Sequence, residues 1–279
     1  MKDRIGCHLS IAGGVAKAVG RAAEADCSAF QIFTRNPRGW AHAELTDEEI
    51  AEFRKGTQKD GPFPVAHMPY LPNLAAPNVE IYRKSVDTLA SELVRCGKLG
   101  IAYLVTHLGS HLGLGEKEGR ERIVQAIRTA LDQSGSSTMV LMENTAGTKN
   151  SLGTTPEELA IILDAMDGDK RVGLCIDTAH AFAAGYDWRS KDNPFYSELK
   201  SARLHDRVMV IHLNDSKVAL GKRADRHEHL GLGEIGLEGL KNAVTHPLFR
   251  NLPCICETPV DETRDDKENV AIARKLRSN

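Results

Sequence analysis

Eight short apolar runs, separated by helix-period segments, constrain the fold of this chain more than any other feature. They cover 4–8 (RIGCH), 30–34 (FQIFT), 64–68 (PVAHM), 102–108 (AYLVTHL), 139–144 (MVLMEN), 172–177 (VGLCID), 208–213 (VMVIHL) and 254–258 (CICET). Near-continuous hydrophobicity over so few residues suits strands covered on both faces, as in a parallel sheet. The segments between carry helix signals. Thr46 with Glu49, and Thr155 with Glu158, have capping-box spacing, and Pro156 suits a first helical position. Leu159, Ile162, Leu163 and Met166 form one apolar stripe, and Val86, Leu89, Leu93 and Cys96 another. Strand–helix alternation repeated eight times is the pattern of a (β/α)8 TIM barrel. A doubly wound sheet would also alternate; the count of eight and the placement of polar residues favour the barrel. The 279 residues lie near the roughly 250 typical of such barrels. No linker or low-complexity segment divides the chain, so one α/β domain spanning 1–279 is expected.

Six of these runs close on a side chain able to bind metal: His67, His107, Glu143, Asp177, His212 and Glu257. Taken singly, each has an ordinary explanation. Asp177 could cap the following helix, and a histidine at a strand end is usually a hydrogen-bonded rim residue. Six consecutive strands obeying one rule is a different matter, because a barrel gathers all its C-terminal strand ends on one rim. His180 follows Asp177 by three positions and reaches the same rim. In ADRHEHLG (224–231), Asp225 and His227 are two apart, so an extended segment turns both to one side. Nine candidates result, five imidazoles and four carboxylates, a donor set that suits zinc or a neighbouring first-row ion better than magnesium or calcium. Arg226 would point away from the pair, and the roles of Glu228, His229 and His8 stay open.

The composition narrows the setting. A chain this long can bury a large core without disulfides, and its six cysteines show neither a CxxC pair nor zinc-knuckle spacing. Small buried hydrophobes in a reducing cytoplasm are the expectation. The N-terminus has no apolar leader segment and no run reaches membrane-spanning length, so a cytoplasmic protein without membrane attachment is expected. A formal net charge of −2 argues weakly against nucleic acid held on a broad basic surface. GLGEIG (231–236) satisfies a dinucleotide-binding pattern but follows a polar loop instead of leaving a strand. No nicotinamide or flavin cofactor is therefore expected, and the glycines read as permitting loop curvature.

The segments GCHLSIAGG, FTRNPRGW, AHMPYLPNLAAP, THLGSH, LMENTAG, CIDTAHAFAAGYD, IHLNDSK, DRHEHLGLGEIG and CICETP resemble, in order and spacing, the motifs of the endonuclease IV family of abasic-site endonucleases. The resemblance runs from about Ile5 to Glu257. It implies an α/β barrel with three Zn2+ ions that acts on double-stranded DNA containing abasic sites. It also implies hydrolysis on the 5′ side of the lesion, giving a 3′-hydroxyl and a 5′-deoxyribose phosphate. Carried over motif by motif, His67, His107 and Glu143 hold one ion. Glu143, Asp177, His212 and Glu257 hold a second, and His180, Asp225 and His227 the third. Glu143, as a bridging ligand orienting a metal-bound hydroxide, Asp177 and Glu257 are the catalytic carboxylates. Arg38, Tyr70 and Leu71 match positions that enter the DNA, although Tyr70 and Leu71 between Pro69 and Pro72 could also be a loop packed on itself. Gly39, Met68-Pro69 and Leu108 depart from the family pattern without touching a proposed ligand. A monomer is expected.

Four carboxylates give the empty site −4, and three divalent cations would leave it net positive, so a mildly acidic protein can present a cationic cleft to DNA. Two other classes compete: a metal-dependent sugar isomerase or epimerase on a related barrel, and a non-catalytic DNA-damage-binding protein. The first uses fewer imidazoles and an additional base. The second would favour closed, thiolate-rich structural sites.

Overall fold

The computed structural model describes residues 3–278. Eight parallel strands wind into a barrel: β1 (Ile5–Cys7), β2 (Ala29–Phe33), β3 (Phe63–His67), β4 (Tyr103–His107), β5 (Met139–Glu143), β6 (Val172–Asp177), β7 (Val208–His212) and β10 (Cys254–Cys256). Their order in the sheet is β1-β10-β7-β6-β5-β4-β3-β2. The seam between β1 and β2 closes through Leu9 N–H to Gln31 O (2.8 Å) and Ser28 N–H to Ile5 O (2.8 Å). Around the strands lie α1 (Lys17–Glu24), α2 (Asp47–Gly56), α3 (Val79–Leu99), α4 (Glu116–Ser134), α5 (Pro156–Asp164), α8 (Gly236–Thr245) and α9 (Asp266–Ser278). Two helices, α6 (Thr178–Ala184) and α7 (Pro194–Ser201), share the β6–β7 connection. After β7 a short antiparallel ribbon pairs β8 (Asp215–Ser216) with β9 (His227–Glu228).

The expected strands are all present and mostly shorter than the apolar runs. The last run, 254–258, keeps only three ladder residues because Glu257 N–H donates to the Asn214 side chain (2.7 Å). The capping expectation divides. Thr46 and Glu49 form the full reciprocal box on α2. On α5 only half forms: Thr155 Oγ1 accepts from Glu158 N, but the Glu158 carboxylate takes Gly153 N (3.0 Å) and Thr154 N (2.8 Å) instead. The tight turn before the helix outcompetes the cap for that acceptor. Met166 lies beyond the end of α5 yet stays buried on the same stripe.

Two apolar layers hold the barrel. The outer one lies between strands and helices. The inner one comprises Ala29, Val65, Val105, Leu141, Cys175, Val210 and Ile255, one residue from each strand except β1. Gly6 pairs with Ile255 and takes the corresponding place in β1. A Cβ there would meet the Ala29 carbonyl oxygen at 1.6 Å, so the seam closes only because residue 6 has no side chain. Gly6→Ala is expected to cost more than about 3 kcal/mol through backbone displacement, read as a lowered urea midpoint. A variant as stable as the parent would show that the seam is not this tight.

Candidate metal centre

Side chains on a strand alternate between faces, so the next inward position lies two residues beyond the apolar layer. Counting from that layer gives Gln31, His67, His107, Glu143, Asp177, His212 and Glu257, with His8 above Gly6. Six of these are the strand-end candidates. Barrel closure converts their sequence separations into contacts. Glu143, fully buried, is the hub. Its Oε2 lies 3.2 Å from His67 Nε2 and 3.6 Å from His107 Nε2. Its Oε1 lies 2.8 Å from His212 Nδ1 and 3.6 Å from His180 Nδ1.

The donor atoms fall into three groups, each within 4.8 Å internally: His67, His107 and Glu143; Glu143, Asp177, His212 and Glu257; and Asp177, His180 and His227. Asp225 joins the third from the solvent side, its Oδ1 3.2 Å from His180 Nε2 and 3.3 Å from His227 Nε2. Asp177 does two jobs. Its Oδ1 caps α6 by accepting from His180 N (2.7 Å), while Oδ2 faces the cluster 3.6 Å from His227 Nε2.

The imidazoles are prepared as ligands. A metal-binding histidine commonly commits its second ring nitrogen to an outer acceptor, which fixes tautomer and orientation. His67 Nδ1 is 2.7 Å from Met68 O, His180 Nδ1 2.9 Å from Asn144 O, and His227 Nδ1 3.0 Å from Glu257 O. His212 Nε2 lies 2.9 Å from Gln31 Oε1. The other nitrogens turn inward, and those of His180 and His227 are buried without a hydrogen-bond partner. Buried orphaned nitrogens are unfavourable, and a cation among these carboxylates would satisfy them. The residues fit a metal cluster.

Outer support includes residues that strand-end reasoning missed. Gln31 is fully buried; its amide donates to Glu257 Oε1 (2.6 Å) and lies 3.0 Å from His8 Nδ1. A polar residue inside the apolar run FQIFT, at the inward period, was the available signal. Asn144 brackets Asp177 through the backbone N–H and C=O of that residue. Asn214 holds Asp177 Oδ2 (2.6 Å) as well as Glu257 N. The 224–231 stretch also separates. Arg226 is exposed. Glu228 caps His229 N and lies 3.7 Å from Lys217 across the ribbon. His229 is buried between Asp261 (3.0 Å) and Asn269 (3.0 Å), which ties the ribbon to α9. Neither is placed in the cluster.

A cavity of about 360 Å3 opens above the cluster, lined by His8, Phe33, Tyr70, Thr258 and Val260 with the inward imidazoles. Tyr70 and Leu71 are 66% and 40% exposed, so this loop is not packed on itself; Tyr70 stands edge-on to Phe33 at the cavity mouth. Arg38 lines the adjoining groove with Asn36 and Tyr70.

Electrostatics favour ionised carboxylates. Burial alone would raise Glu143 and Glu257, but the surrounding imidazoles, chiefly His107 and His212 for Glu143 and His212 for Glu257, hold both well below the usual range. Burial would likewise raise Asp225, yet His180 brings it down to about 2. His180 is held well above its ordinary value: burial opposes its charging, and Asp177 and Asp225 overcome that.

Residues 19–278 match the family model described as a xylose isomerase-like TIM barrel. A protein of Methanoculleus marisnigri named probable endonuclease 4 is 53% identical over 276 residues, covering 98% of each chain. The corresponding protein of Cenarchaeum symbiosum is 48% identical over 98% of this chain and 99% of its own. The crystal structure of endonuclease IV from Thermus thermophilus superposes with a TM-score of 0.88 at 38% identity, covering 98% of both chains. The chain belongs to the endonuclease IV family. It is thereby an enzyme of DNA repair, and the non-catalytic reading falls. A D-tagatose 3-epimerase-like protein, 17% identical with a TM-score of 0.71 over 98% of this chain and 95% of its own, shares the fold alone.

The endonuclease IV barrel also accounts for GLGEIG. The loop wraps the buried Asp215 carboxylate, which accepts from the backbone N–H groups of Gly231, Gly233, Ile235 and Gly236. A Cβ at Gly233 would lie 2.6 Å from Asp215 Oδ1. These glycines surround an internal carboxylate. Among the described residues, no helix is long and apolar enough to cross a membrane.

The Asp177 and Asp225 carboxylates favour the charged form of His180, whereas a cation needs its neutral imidazole. Adding Zn2+ to metal-free folded protein near neutral pH is expected to release protons, and apparent affinity should fall as pH falls and the imidazoles charge. Titration calorimetry in two buffers of different ionisation enthalpy checks this. Identical heats in both would contradict it.

Proposed function

We propose that this enzyme hydrolyses the phosphodiester 5′ to abasic sites in double-stranded DNA, giving a 3′-hydroxyl and a 5′-deoxyribose phosphate, with three Zn2+ ions as cofactor. The observation that carries the reading is the set of three donor groups that share Glu143 and Asp177. One carboxylate serving two groups is how closely spaced ions are bridged. His67, His107 and Glu143 would hold one ion, and Glu143, Asp177, His212 and Glu257 a second. His180, His227 and Asp225, with Asp177 beside them, would hold the third. When bound, zinc ions supply Lewis acidity and lower the pKa of water to about 7.

The chain's own residues supply position. Glu143 is pinned from both oxygens by imidazoles, so its orientation is fixed before substrate arrives. Gln31 and Asn214 fix Glu257 and Asp177 in the same way. Buried carboxylates whose ionised form the surrounding imidazoles favour are ready ligands. Arg38, Tyr70 and Leu71 line the mouth, where a cation, an amphipathic ring and an apolar side chain are suited to grip a backbone and fill the gap at a missing base.

A duplex with a single abasic site, run beside a panel of ketoses, tests the reading. Incision 5′ to the lesion with about three zincs per chain and inert ketoses are expected; ketose turnover with intact DNA would refute it. Glu143→Ala should lower incision at least about a thousandfold with the fold retained, measured by gel assay and circular dichroism. Chelation should abolish duplex binding as well as cleavage. Undiminished binding by folded, metal-free protein would remove the electrostatic role given to the metals.

A further inference from the structure

The segment 34–46 joins β2 to α2 without helix or strand, yet it carries the exposed Arg38, and its Pro37 carbonyl accepts from Tyr70 N (3.4 Å). A loop of this length would be mobile unless something tied it. Two charged residues on α3 do so from below. The Arg95 guanidinium donates Nε to Thr34 Oγ1 (2.9 Å), Nη2 to Thr34 O and Nη1 to Ala43 O (3.0 Å). One planar fork thus clasps the start of the loop and a point near its end. Glu92, fully buried, accepts from Thr34 Oγ1 (2.7 Å) and from Arg35 Nε. Arg35 then reaches His42 Nδ1 (2.7 Å).

This cluster is separate from the metal centre, and no proposed ligand belongs to it. Arg35 pairs directly with the buried Glu92 carboxylate, whereas the Arg95 guanidinium meets it through the shared Thr34 hydroxyl, and Arg35 Nη2 is buried without a hydrogen-bond partner. Such an imbalance is an inefficient way to stabilise a fold, since an apolar plug of equal volume often does as well or better. An apolar plug could not hold two backbone carbonyls at a set distance. Forked donation to Thr34 and Ala43 can.

We propose that Arg95 and Glu92 are positioning residues for DNA engagement: they close the 34–46 loop from α3 and so hold Arg38, and through Pro37 the Tyr70 loop, at the mouth of the site. This rests on the reading of Arg38 as a DNA contact. The chemistry at the metal centre does not depend on the clasp, so binding and turnover should separate.

Arg95→Lys keeps the charge, but a single ammonium cannot reproduce the fork. It is expected to raise KM for the abasic duplex about tenfold with kcat within about twofold. Activity on thymidine 5′-p-nitrophenyl phosphate, which lacks the flanking DNA that Arg38 is proposed to grip, should be unchanged. In an Arg38→Ala background the same substitution should add little, because both changes disable one contact. Glu92→Gln, which keeps the shape, serves if the lysine variant does not fold. A fall in kcat at constant KM, or an equal KM rise in the Arg38→Ala background, overturns the inference. Hydrogen exchange reads the clasp without substrate: amides of 36–42 should exchange faster in Arg95→Lys while the strands stay protected. Unchanged exchange there overturns the clasp. Absence of incision by the unaltered protein would instead overturn the proposed function, and exchange would still decide the clasp.

Discussion

The structure depends on the two-residue period of inward-facing side chains in a closed barrel. One inward position per strand is apolar, from Ala29 round to Ile255, and forms a dry floor. The next, two residues on, carries an imidazole, carboxylate or amide. Because the strands are parallel, all these second positions open toward the same end. A floor of packed hydrophobes closes the layer above from below, and Glu143 and His212 are fully buried there, where electrostatic interactions with Glu257 count most.

That arrangement places several ionisable groups in a small volume, and the surrounding amides make it tolerable. Gln31 joins His8, His212 and Glu257. Asn144 and Asn214 do the same around Asp177 and Glu257. Gln31 takes Glu257 Oε1 and leaves Oε2 beside His212, while Asn144 holds Asp177 by its backbone and Asn214 by Oδ2. Asp177 illustrates the division within one side chain, with one oxygen capping α6 and the other in the cluster. Capping and metal binding, alternatives when the sequence is read locally, are both available because a carboxylate has two oxygens.

Much of the site was legible because barrel strands turn sequence period into spatial layer. The six strand-end residues could be read from the apolar runs, and His180 and the Asp225–His227 pair from spacing alone. Gln31 and Asn214 were less legible: nothing local marks an amide as buried support until its partners, distant in sequence, are known. Glu228 and His229 could not be separated from Asp225 and His227 by residue type. The short ribbon decides it, turning His227 toward Glu257 O and seating His229 between Asp261 and Asn269. The half-formed box at Thr155 has the same origin, since Glu158 had nearer donors in a turn that spacing does not reveal.

The sequence by itself determined the eightfold alternation, the inward period, and which chemical groups stand at the strand ends, because these follow from local hydrophobicity and spacing. Only the tertiary structure decided how those groups share space. It made Glu143 the hub, gave Asp177 to two groups, placed Arg95 beneath a loop some sixty positions away, and aimed the second nitrogens of His67, His180, His212 and His227 at outer acceptors. The reason is that such assignments depend on barrel closure and on competition among donors for a few acceptors, and neither exists until strands distant in sequence lie side by side.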